Sequence, residues 1–216
     1  MLSKLAVRAI AACSIVAIAG CASFAKNQVP EVTNMPSVEQ YQNKPSVYVD
    51  FRFFQGDPQT TQNPVEMAAA KNALQPMVER TLQESQLFNR TTFDAFEQDK
   101  TDYTIKVYAY NHGSHGGAAV MGFITGFTLG VIPSAATDNY TLVVEATGKD
   151  GAKVSNASNQ DAVTTWIGLW FIPLMGNTPD EAITGTLENQ LRAALKELVE
   201  SGKLQYSGVT IPFRNA

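Results

Sequence analysis

Few residues in this sequence have the types and spacing that chemistry requires. His112 and His115 are its two histidines, set in "NHGSHGG". An H-x-x-H pair in a loop offers two imidazoles to a metal, but a zinc site needs three or four ligands. No acid is near them, and the cysteines, Cys13 and Cys21, lie far away in sequence. "GSHGG" lacks the G-x-S-x-G frame of a nucleophile elbow. "GKDG" lacks the six-residue frame and Lys-Ser/Thr ending of a phosphate loop. The sequence therefore predicts no catalytic residue, no metal site and no cofactor, and a protein that is not an enzyme. The thiol of Cys21 is the reactive group that remains, and its surroundings decide its use.

Those surroundings read as a targeting signal. Lys4 and Arg8 charge the first residues, an apolar run extends from Ala9 to Ala19, and Gly20 and Cys21 follow. A positive start, a short apolar middle and a small residue before the break are the parts of a secretory signal. The apolar run is too short to span a bilayer, which takes roughly 20 residues. Ile18, Ala19, Gly20 and Cys21 fill all four positions of a pattern that resembles the lipobox of bacterial lipoproteins. The resemblance implies cleavage between Gly20 and Cys21 and attachment of lipid to Cys21. Cys13 would leave with the signal, so no disulfide is expected. Ala22 and Ser23 follow the cysteine where inner-membrane lipoproteins usually carry Asp, which implies the outer membrane with the protein facing the periplasm of a Gram-negative envelope. Several acyl chains hold stably, since each buried methylene contributes about 0.8 kcal/mol.

Composition narrows the partners. The formal charge of the 216-residue chain is −4, and the signal holds two of its cations and no acid. A mildly acidic chain lacks the electrostatic footprint for nucleic acid and the basic cluster that recruits anionic lipid. The expected partners are membrane lipid, reached through acylated Cys21, and an envelope protein, with a homo-oligomer as a further possibility.

The elements that must position these features follow the hydropathy. Residues 21–44, with Pro30 and Pro36 and no period of 2 or 3.6, predict a lipidated N-terminus and flexible tether. One domain is expected over 45–204, with a tail at 205–216. "SVYVDFRFF" alternates Val47, Val49, Phe51 and Phe53 against Tyr48, Asp50 and Arg52, a half-buried strand whose Asp50 and Arg52 face solvent. A helix is expected from Pro64 to Ser85, kinked or split at Pro76. "DYTIKVYAY" and "NYTLVVEATG" predict two more strands, and a fourth lies within Lys153 to Ile167, after an Asp-Gly turn in "GKDGAK". Thr178, Pro179 and Glu181 mark the start of a last helix with a capping box. Ile183, Leu187, Leu191, Leu195 and Leu198 form its stripe, and Gly202 ends it.

This order implies an α+β fold, a mostly antiparallel sheet with two helices on one face and an apolar glycine-rich insert between central strands. With "QLFNRTTFDAFEQDKTDYTIKVYAY", where Thr101, Asp102 and Tyr103 stand at the turn, it resembles the periplasmic α/β domains of the TolB N-terminal, LpoB and CsgG group.

The insert, 118–133, lies in a stretch from Val107 to Thr137 without a formal charge. Gly122, Gly126 and Gly130 make G-x-x-x-G-x-x-x-G, which on a helix clears a groove for another backbone. The same spacing is a multiple of two, so as a strand it would set Phe123 and Phe127 on one face and the glycines on the other. A second apolar insert, 164–176, carries Trp166, Trp170 and Phe171, residue types that favour a lipid headgroup boundary. Left in water, this much apolar surface is an aggregation hazard. Three uses follow: burial against the sheet, contact with membrane, or contact with protein. The sequence thus predicts a non-enzymatic, membrane-anchored envelope structural or adaptor protein whose apolar segments meet membrane or a partner. The alternative is an oligomeric CsgG-like secretion or assembly component, with 118–132 entering the membrane.

Overall fold

The computed structural model describes residues 20–113, 125, 126, 128 and 130–209. The fold is α+β, and its seven-stranded sheet is mostly antiparallel. The strand order is β1 (Gly20–Ala25), β8 (Lys153–Gly168), β7 (Ser134–Gly148), β6 (Tyr103–Asn111), β3 (Ser46–Gln55) and β4 (Val65–Glu66), with β5 (Arg90–Thr92) also on β3. β2 (Tyr41–Asn43) and β9 (Ser207–Val209) form a separate two-stranded sheet. The chain clusters into two compact units. Among the described residues, the first holds 20–26, those of 113–139 and 162–186; the second holds 27–112, 140–161 and 187–209.

In the second unit the period-2 alternation of β3 decides which face is dry. Val47, Val49, Phe51 and Phe53 are all buried, as are Ile105, Val107 and Ala109 of the neighbouring β6. β3 and β6 run parallel, with Val49 beside Ile105 and Phe51 beside Val107. A parallel pair needs a crossover, and α1 (Ala68–Ser85) supplies it. Its stripe of Leu74, Met77, Val78 and Leu82 is buried. Leu187 and Leu191 of α2 (Pro179–Glu200) close on the same sheet face. Between Phe51, Val78, Val107, Leu142, Leu187 and Leu191 a void of only about 10 Å³ remains, room for no more than about one water. On the helices' outer side Arg80 donates to Glu188 at 2.7 Å and Arg192 to Glu84 at 3.1 Å.

The predicted caps of α2 are present. Glu181 N–H donates to Thr178 Oγ1 at 3.2 Å, and Gly202, at φ +68°, donates its N–H to Val199 O. The predicted turn in "GKDGAK" closes the hairpin of β7 and β8, with Gly151 at φ +74° and Gly148 N–H donating to Ala152 O.

Three expectations are corrected. α1 starts at Ala68, since Val65 and Glu66 pair with β3 and Met67 N–H donates to Phe53 O at 2.8 Å. It then runs unbroken through Pro76, whose ring removes one N–H from a helix held by its buried stripe. The expected tether is ordered as well. Gly20–Ala25 is strand β1, antiparallel to β8. Beyond it, Asp161 accepts from Gln28 and Val29 N–H, and Asn189 accepts from Val32 N–H and donates to Val29 O. Side chains from distant elements satisfy this backbone, so the ordering leaves no period in the local sequence.

Candidate membrane or partner face

The first unit places Cys21 on an edge strand. β1 pairs with the end of β8 so that Gly20 lies opposite Gly168, Cys21 opposite Ile167 and Ala22 opposite Trp166. Ser23 Oγ and Thr165 Oγ1 are 2.7 Å apart across this ladder, and Ser23 N–H donates to Asn177 O. Ala22 and Ser23 are buried, while Cys21 keeps partial access to solvent.

Beyond Gly168 the chain turns into a 3₁₀ segment, Leu169–Leu174. Its backbone approaches β1 so closely that a Cβ on Gly20 would lie 2.5 Å from Ile172 N. A Cβ on Gly168 would meet Gly130 O and Pro133 at 3.2 Å. Gly130 takes φ +82°, a conformation L side chains rarely adopt, and accepts the Leu169 N–H at 3.0 Å. Glycines thus bring β1, the 130–133 segment and the 168–172 turn within backbone contact.

What this packing leaves outside is apolar. Val131, Ile132, Trp166, Ile167, Trp170, Leu174, Met175 and Phe24 are all exposed, Trp170 at 69%. Among the described residues, only Val65, Met67 and Phe96 in the second unit are large apolar side chains of similar exposure. Trp170 donates its indole N–H to Val131 O at 3.0 Å, so its polar atom is satisfied inside the protein while its ring stays bare. Trp166 and Phe171 stack at 5.5 Å. Charge is nearly missing. Lys26, Asp138, Asp180 and Glu181 are the charged side chains among the described residues of this unit. No described helix is long and apolar enough to cross a membrane.

The remaining sequence-predicted positions divide. Gly122, Phe123 and Phe127 lie outside the described residues. Thr125 and Gly126 are helical, and Gly130 N–H donates to Thr125 O at 2.7 Å, so the described part of the insert is coiled turns rather than strand. A Cβ on Gly126 would meet nothing within 4 Å. Among the described residues, Gly130 answers to backbone conformation, while Gly126 has no close neighbour.

The residues first suspected of chemistry are tied down elsewhere. His112 Nε2 lies 2.8 Å from Thr141 Oγ1, and His115 is outside the described residues. No three His, Cys, Asp or Glu side chains gather among the described residues. Asp50 and Arg52 are not simply solvated. Arg52 Nε donates to Asp50 at 3.0 Å, and Tyr108 Oη donates to the same carboxylate at 2.9 Å. Burial, followed by that hydrogen bond, pushes the Tyr108 phenol up to about 12.

The exposed Val131, Ile132, Trp166, Ile167, Trp170, Leu174 and Met175 all fall within the two apolar inserts expected from the sequence, 118–133 and 164–176. No family model and no curated protein matches the chain. Among solved structures it is similar to a PelC dodecamer from Paraburkholderia phytofirmans, at 8% identity and TM-score 0.35, covering 87% of this chain and 99% of that one. It is also similar to a DUF4136 family protein from Bacteroides thetaiotaomicron, at 10% identity and TM-score 0.32, covering 87% and 98%. Likenesses at these scores carry no argument about what this chain does.

Proposed function

We propose that this chain is a non-enzymatic lipoprotein of the bacterial envelope, held at the periplasmic face of the outer membrane by acylated Cys21. Its exposed apolar face meets the same membrane surface. The observation that carries this reading is the pairing of Cys21 with Ile167 on β1 and β8, in the unit that holds Trp166, Trp170, Leu174 and Met175. The lipid would then join the folded sheet with no flexible leash between them. One anchor restrains position only; an anchor joined to an apolar face also restrains orientation. Several acyl chains already make attachment stable, so this face would contribute orientation rather than retention. Ala22 and Ser23 after the cysteine support the outer membrane as destination.

The test is the N-terminal peptide. Mass spectrometry of protein from membrane fractions of a Gram-negative host should show a chain beginning at Cys21 with acyl mass on it. A Cys21→Ser variant should lose that mass. An unmodified Cys21, or cleavage elsewhere, would overturn the reading. Size exclusion of the same detergent-solubilised sample addresses the oligomeric alternative: a large ring would assign the apolar face to contacts between copies.

A further inference from the structure

A second region, unrelated to the apolar face, has the form of a binding site. In the second unit a cleft of about 570 Å³ opens beside the start of β6. Small-molecule sites commonly occupy roughly 300–1,000 Å³. Three lysines from separate parts of the chain line it: Lys44 between β2 and β3, Lys149 at the β7–β8 turn, and Lys203 beyond α2. Asn43, Gln205 and Ser207 add neutral polar groups.

The charge in this cleft is not balanced. Elsewhere in the second unit Arg52, Arg80, Arg90, Lys106, Lys153, Arg192 and Lys196 each lie within 4.0 Å of a carboxylate, while Lys71 and Lys100 stand singly and have no ion pair among the described residues. Lys44 instead donates to a carbonyl, Gln86 O, at 2.7 Å, and Lys203 has no ion pair among the described residues. Asp102 is the acid on the cleft wall. Its Oδ2 accepts from Ser46 N–H at 2.8 Å and from Ser46 Oγ at 2.7 Å. The Ser46 backbone N–H, followed by the Ser46 hydroxyl, holds its pKa below the usual carboxylate value. Asp102 reaches Lys149 only at 3.6 Å. Lys149 is thus held beside the opening by a loose contact, and two further lysines remain uncompensated. Such a concentration of positive potential, in a chain whose formal charge is −4, attracts anions.

We propose that this cleft binds a small polyanion carrying phosphate or carboxylate groups, with Lys44, Lys149 and Lys203 as the groups that recognise it. Lys149 leaves Asp102 for the ligand, while Asp102 stays anchored to Ser46. Tyr103 on the same wall is fixed by accepting the Gln205 N–H at its Oη, 3.1 Å away, so the wall is set before a ligand arrives.

The test is calorimetric titration of the purified protein with inorganic pyrophosphate and, separately, with citrate, at low ionic strength. Saturable one-to-one binding of at least one probe is expected, weakening as salt screens the lysines. Lys44→Gln with Lys203→Gln should weaken it at least tenfold. A control with Lys26→Gln and Lys71→Gln removes the same charge away from the cleft and should leave binding unchanged. Tighter binding of pyrophosphate supports a phosphate group on the natural ligand, and tighter binding of citrate supports a carboxylate. Absence of saturable binding by both probes would overturn the proposal. So would equal weakening in the control, which would reduce the effect to net charge. Neither result touches the reading of Cys21, which uses none of these residues.

Discussion

The two units solve the same problem, what to do with apolar side chains, in opposite ways. The second unit buries them: Val49, Phe51, Ile105, Val107, Leu191 and Leu195 are almost wholly sheltered, and ion pairs such as Arg80–Glu188 sit outside them. The first unit packs backbone on backbone through Gly20, Gly130 and Gly168 and leaves Trp170, Val131 and Met175 in the open. A fold stabilised by burial has no use for a bare tryptophan beside a charge-poor surface. On the proposed function, stability rests with one region and association with the other.

That division can be broken most forcefully at Leu195, which is fully buried. Leu195→Ala should cost about 2–5 kcal/mol in denaturant unfolding and leave membrane association of the folded fraction unchanged. Trp170→Ala should do the reverse, with stability within about 0.5 kcal/mol of the parent and association reduced. A Trp170 variant as unstable as the Leu195 variant would refute the division.

Gly130→Ala sharpens it. The left-handed backbone at Gly130 should cost an L-residue about 1–2 kcal/mol. The loss of packing at Leu169 should then appear as weaker association as well as a lower melting temperature. A change in neither quantity would show that the turn does not organise the face.

The outer ion pairs come next. Arg80→Ala should shift stability by less than about 1 kcal/mol, as exposed pairs do, and guanidinium unfolding would reveal a larger role if there were one.

The smallest effect belongs to alkaline pH. Burial pushes the Tyr206 phenol up to about 12, and its hydroxyl has no hydrogen-bond partner among the described residues. Because the folded pKa exceeds the ordinary value near 10, the fold favours the neutral phenol. That contribution is complete below about pH 10 and is lost as pH rises towards 12. Tyr206→Phe should be neutral or slightly stabilising at pH 7 and should flatten the decline between pH 10 and 12. A marked loss at pH 7 would mean that the hydroxyl is satisfied after all.

Much of the second unit was legible in the sequence, because its signals are local. Alternation around Phe51 and Val107, the helix stop at Gly202 and the turn at Gly151 each act within a few residues. What stayed hidden depends on distant partners. Nothing near Gln28 or Val32 announces that Asp161 and Asn189 will hold that backbone. Nothing near Ala22 announces a strand, because its pairing partner is Trp166. The candidate face falls within the two expected inserts, which the tryptophans and the absence of charge mark in the sequence. Glycine spacing left helix and strand open, and Gly126 and Gly130 share that spacing but not their described surroundings. The lysine cleft was invisible for the same reason, its three cations being separated by long stretches of chain.

The central claim, that the apolar face itself meets the membrane, is tested by removing the lipid. Residues 21–216 carrying Cys21→Ser would be floated with phospholipid vesicles, alone and with Val131, Trp170 and Met175 each changed to Asp. The account predicts that the lipid-free protein floats with the vesicles and that the triple change lowers the bound fraction at least tenfold, with little change in melting temperature. A lipid-free protein that stays wholly in the buffer would contradict it, leaving acylated Cys21 as the sole contact with the membrane.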